Sequence, residues 1–151
     1  MQQAAEYRRI KGIRDKSGAR HLVDAYVSLR PGDLSQIALA SYIMGAVGIG
    51  LNLPSYAMDQ FDKGKPWTVA RGQHPFIGGH YVPLVGRNSI GNYLVCTWGR
   101  LHAVTPGFLS NFMDEGICYL SFESLGKSTR MTPEGFDENG LRKMLAALTR
   151  T

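Results

Sequence analysis

Two cysteines in 151 residues, Cys96 and Cys118, are too few for the disulfide framework of a small secreted domain. Both stand in apolar, strand-like segments, so they read as two buried thiols in a reducing compartment. No Cys-x-x-Cys or His-x-x-x-His pair occurs and the four histidines are scattered, so no metal site and no cofactor is expected. No apolar run reaches membrane-spanning length, because the longest, residues 37–50, is broken by Ser41 and several glycines. The polar, basic start has no hydrophobic core of a cleaved signal, which argues against secretion by that route. Gly78-Gly79 is too short for a phosphate loop, and no dinucleotide pattern, internal repeat or low-complexity tract is found.

What remains is an ordinary globular composition, long enough for one domain over residues 1–151 with a real core. The net charge is +5 and most of it lies early, in Arg8, Arg9, Lys11, Arg14, Lys16, Arg20 and Arg30. A basic N-terminal helix and strand, residues 1–30, could meet nucleic acid or an acidic protein surface, with Arg8, Arg9 and Lys11 as its contacts. Only Tyr7 and Tyr26 interleave with these charges to stack on bases, so a solvated basic face is the simpler reading.

Periodicity predicts an α+β chain: a small antiparallel sheet packed with helices. Helices are expected over 2–11, 34–47 after the N-cap Asp33, in a turn or two over 55–61, after Thr105-Pro106, and over 138–149. The second is apolar nearly all round and should be buried. The last is amphipathic through Leu141, Met144, Leu145 and Leu148, within a C-terminal region 133–151. Strands are expected over 21–29, 49–53, 101–104 and 114–122, and residues 62–73 read as a polar loop holding Trp67.

The centre of the chain is a hairpin. Gly78-Gly79-His80-Tyr81-Val82-Pro83-Leu84-Val85-Gly86 and Tyr93-Leu94-Val95-Cys96-Thr97-Trp98-Gly99-Arg100 flank a turn over 87–92. Alternation puts His80, Val82 and Leu84 on one face of the first strand, and Leu94, Cys96 and Trp98 on one face of the second. Should those faces coincide, a histidine and a thiol stand across the strand pair. Pro83 cannot donate to a ladder and should meet an open edge or a bulge. Asp114 and Glu115, as neighbours on a strand, point apart and are expected to cap or to pair with a base such as Arg100.

Gly-Gly-His, an apolar strand, a turn and then Trp-Gly resemble the later half of papain-like cysteine peptidases, and the nearest likeness is to a bacteriophage-encoded group. The matching positions are 50–54, 98–100, 105–108, Phe112, Asp114-Glu115 and 132–137, which span nearly the whole chain but only the later part of that family's domain. The resemblance implies a papain-like fold with His80 as general base or its remnant. It puts Cys96 where the orienting Asn stands and makes Trp98 the shelter of the histidine. A thiol accepts hydrogen bonds poorly and cannot hold a ring tautomer as an amide does. The helix that carries the nucleophilic cysteine in the family has no counterpart in these residues.

The expectation is therefore a catalytically silent papain-like domain acting through protein–protein contacts. The resemblance further implies a phage virion component (connector, tail or accessory head protein) or an intracellular effector in the host cytoplasm. Its partners would be other phage proteins or further copies of itself. One alternative is a cysteine peptidase or amidase completed by a nucleophile from another chain, with Cys96 itself a less favoured nucleophile. Another is a host-directed or nucleic-acid-binding protein using the basic N-terminal region.

Overall fold

The apolar alternations pair into two sheets in a computed structural model of the chain, which describes residues 1–121, 123, 125–126 and 128–148. The smaller sheet joins β1 (Ile13–Arg14) to β2 (Arg20–His21). The larger has six strands in the order β3-β8-β4-β5-β6-β7, every neighbouring pair antiparallel. These are β3 (Ala25–Leu29), β4 (Val47–Pro54), β5 (Phe76–Arg87), β6 (Tyr93–Thr97), β7 (Arg100–Val104) and β8 (Met113–Leu120). With helices α1 (Gln2–Ile10), α2 (Leu34–Met44), α3 (Tyr56–Asp62), α4 (Pro106–Phe112) and α5 (Glu138–Leu148), the protein is of the α+β class.

The core lies on one face of the large sheet. Val27, Leu29, Val47, Ile49, Leu51, Val82, Leu84 and Val95 meet Ile37, Ala40 and Ile43 of α2, Phe108 and Leu109 of α4, and Leu141, Leu145 and Leu148 of α5. α2 starts where Asp33 accepts a hydrogen bond from the Gln36 amide (3.0 Å) and stops at Gly45, which takes the left-handed conformation (φ 76°). The stop frees Val47 and Gly48 to begin β4, two residues earlier than the expected strand. α2 is not buried all round: Leu39 and Tyr42 are exposed, and the Tyr42 ring meets Phe136 edge-on. Thr105 caps α4 by accepting from the Phe108 amide, with Pro106 in the first turn.

α1 belongs to the opposite face of the sheet. The Arg8 guanidinium lies over the Tyr119 ring (4.9 Å), and the Tyr26 hydroxyl donates to Glu6 (3.1 Å). The expected strand over 21–29 is divided, since His21 pairs in the small sheet while residues 25–29 form the edge of the large one. Of the expected strand over 114–122 and helix over 138–149, Phe122 and Thr149 lie outside the described residues.

Candidate functional site

His80 sits mid-way along β5, paired with Leu51 of β4, and projects to the core face with Val82 and Leu84. Its other neighbour, β6, pairs with β5 through Leu84↔Val95, Gly86↔Leu94 and Arg87↔Tyr93, with a register irregularity between Leu84 and Gly86. Pro83 lies just beyond the end of that ladder, beside its irregularity, and pairs with Gly48 of β4 on its other side.

The Leu84↔Val95 pair decides which groups meet. Directly opposed residues share a face, so Tyr93, Val95 and Thr97 join His80 on the core side and Leu94 and Cys96 point away. Cys96 is exposed, Thr97 is buried, and the expected juxtaposition of His80 with Cys96 is corrected. The physical cause is the pairing of two fully buried residues, Leu84 and Val95, with the register irregularity between Leu84 and Gly86 setting the alternation of the rest of β6. The expectation of two buried thiols is likewise right for Cys118 alone, whose thiol burial pushes up to about 11.

The group that meets the imidazole is Thr97. Its Oγ1 lies 2.8 Å from His80 Nε2, while Nδ1 has no hydrogen-bond partner among the described residues. Trp98 stacks on the other side, with ring centroids 4.5 Å apart and planes 23° from parallel. Trp98 and Gly99 form a two-residue turn from β6 to β7, with positive φ at both (42° and 79°), as a type I′ hairpin turn requires. Left-handed geometry costs a tryptophan about 1 kcal/mol. It also takes the side chain out of the strand's alternation and lays it against His80.

Beneath this pair is an aromatic cluster. Trp67, fully buried, meets His80 edge-on at 6.2 Å and Trp98 at 5.9 Å, and stacks on Phe108 at 5.5 Å. Its indole N–H donates to the Ala57 carbonyl (2.9 Å), and its backbone bridges to β7 through Ala103 and Thr105. The expected polar loop therefore carries a principal core residue. His102 is buried between Phe61 (5.0 Å) and Trp67 (4.8 Å) with no partner for Nε2 among the described residues. Burial holds the His102 and His80 imidazoles below the usual histidine range, and the Arg100 charge adds to the effect at His102.

Arg100 does not pair with Asp114 or Glu115 as expected. Its guanidinium lies over the Phe61 ring (3.7 Å) and donates to the Phe61 carbonyl, while Glu115 accepts from the Met1 amino group (2.8 Å). A shallow cleft of about 220 Å³ beside His80 is lined by Gly50, Leu51, Gly79, Tyr81, Asp114 and Glu115, among others. Gly79 has open space where a side chain would stand, so the backbone before His80 is uncovered.

The basic candidates lie elsewhere. Arg8 packs on Tyr119, Arg9 is ion-paired to Glu6 at 2.7 Å, and Lys11 closes α1. No group of three histidine, cysteine or acidic side chains able to hold a metal occurs among the described residues, and no helix there is long and apolar enough to cross a membrane.

Thr97, Trp67 and His102 were not among the candidates drawn from the sequence. For Thr97 the signal was only half present: it shares alternation with Tyr93 and Val95, but the other register, Leu94 and Cys96, is as apolar. For Trp67 there was none, because loop-to-strand packing leaves no periodic trace, whereas His102 shares alternation with the buried Val104 of β7.

No protein-family model matches the chain, and no curated protein matches it at a significant level.

Proposed function

We propose that the protein is a papain-like domain of bacteriophage type that works by binding rather than turnover, as a component of the virion. The observation that carries this is the separation of sulfur from imidazole. Cysteine catalysis needs a thiolate within hydrogen-bond reach of its base. Cys96 is on the far face of the sheet from His80, and Cys118 is buried in the core with its thiol held protonated. The resemblance in sequence supports the phage assignment, and the exposed outer-face side chains Tyr81, Val85 and Leu101 offer contact area. Mass spectrometry of purified particles tests the role. The chain should be found in the particle in fixed copy number, and its presence only in the cell lysate would contradict the assignment.

A second reading has one specific observation in its favour. His80 has a hydroxyl on Nε2, an indole across its face and no hydrogen-bond partner on Nδ1 among the described residues. That arrangement suits a base awaiting a thiol, and a nucleophile from outside these 151 residues would complete a cysteine hydrolase. A co-purifying chain with a cysteine that takes an electrophilic probe only when His80 is intact would establish this reading in place of the first.

A further inference from the structure

We propose that His21 is a pH-operated clasp that fastens the β1–β2 hairpin to the chain following β8, closed when the imidazole is protonated and released when it is neutral. The hairpin stands apart from the large sheet, and its four strand residues are all exposed. His21 faces a carboxylate at each ring nitrogen: Glu123 Oε2 lies 2.9 Å from Nδ1 and Asp15 Oδ2 lies 3.3 Å from Nε2. Carboxylates only accept, so both bonds need a ring that donates from both nitrogens, which is the imidazolium alone. Loss of the proton leaves a lone pair set against one of the two anions.

The surroundings reinforce the arrangement. Asp15 is fixed in the turn by its other oxygen, which accepts from Ser17 and Ala19, and its carboxyl is held down to about 2, first by the Ser17 hydroxyl and then by His21. It therefore remains an anion through the whole range in which the imidazole titrates. Asp24 and Arg130 line the same cavity as Glu123, while Arg20 is turned away to the Lys11 carbonyl. The His21 imidazole is raised above the ordinary range, first by Glu123 and then by Asp15. Glu123 is far along the chain, and its bond extends to the hairpin the contacts that begin just after it, where Ser121 Oγ donates to the Leu22 carbonyl (3.4 Å) and the Asp24 amide to the Leu120 carbonyl (2.8 Å).

Linkage fixes the size of the response. Each unit by which closure raises the imidazole pKa changes the opening constant about tenfold between the acid and alkaline limits. The test follows hydrogen exchange of the hairpin amides at pH 5.5 and 8.5, corrected for intrinsic exchange, alongside a titration of His21 by NMR on the full chain. Protection should fall at the higher pH by the factor that the measured shift dictates, and Glu123→Gln should lower the His21 pKa and most of that factor together. His21→Gln should abolish the fall in protection at the higher pH. A His21 pKa at the free-histidine value, or a fall in hairpin protection from pH 5.5 to 8.5 that survives His21→Gln, would overturn the clasp.

Discussion

His80 Nε2 and Thr97 Oγ1 are 2.8 Å apart across two strands, and that bond sets which ring nitrogen is left free. Thr97 is buried, so its hydroxyl depends on the ring for a partner. Thr97→Val should cost about 1 kcal/mol in urea unfolding. It should also change the tautomer balance of His80, read from the imidazole ¹⁵N shifts, whereas Thr97→Ser should preserve both. A valine variant with unaltered ¹⁵N shifts would show that the hydroxyl does not orient the ring.

Stability should fall on mild acidification. His102 is buried with its folded-state pKa below the ordinary histidine value of about 6.5, so the unfolded chain binds more protons near and below that pH. The neutral imidazole's contribution is present above about 6.5 and is lost as pH drops toward the folded-state value, and His80 adds in the same direction. His21, raised above 6.5, runs the other way: its contribution is full in acid and is lost as pH rises through the folded-state pKa. In a His21→Gln background the acid-side loss should stand alone, and His102→Leu should flatten it. An unfolding midpoint that rises from pH 7 to pH 5.5 in that background would contradict the assignment.

Gly48 carries the Tyr81 ring. A β-carbon there would fall 2.0 Å from the Tyr81 hydroxyl and 2.7 Å from Cζ, so Gly48→Ala must displace the ring. Displacement moves the Tyr81 hydroxyl out of its buried position, and that burial, followed by the neighbouring Tyr119 phenol, holds the Tyr81 phenol at about 12. The substitution should cost about 1–2 kcal/mol and lower the Tyr81 pKa toward 10, as followed by NMR. Made in Tyr81→Ala, it should cost much less, and equal costs in both backgrounds would refute the contact.

The Asp33 cap of α2 should contribute about 1 kcal/mol. Asp33→Ala leaves the Gln36 amide without its acceptor, and Asp33→Asn should recover most of the loss. Thermal unfolding of the three proteins checks the order.

Much of this fold could be read from local signals because those signals act locally. Asp33, Thr105-Pro106 and the Leu141–Leu148 spacing gave helix starts and faces, and the run 78–86 gave the strand that holds His80. The parity of β6 was harder, since Leu94 and Val95 are equally apolar and only the bulge near Leu84 settles which is buried. That single residue of register moved the partner of His80 from Cys96 to Thr97. Trp67 reaches the site from a loop by packing alone, and β1–β2 splits from β3 where His21 pairs with Ile13 and meets Asp15 nearby and Glu123 far along the chain.

The account rests on His80 having no sulfur to activate within these residues, and a thiol-directed electrophile measures that directly. With wild type, His80→Ala and Cys96→Ser treated side by side at neutral pH, the account predicts slow modification of exposed Cys96 at the same rate with and without His80, and none in Cys96→Ser. Rapid labelling of Cys96 that disappears in His80→Ala would contradict it.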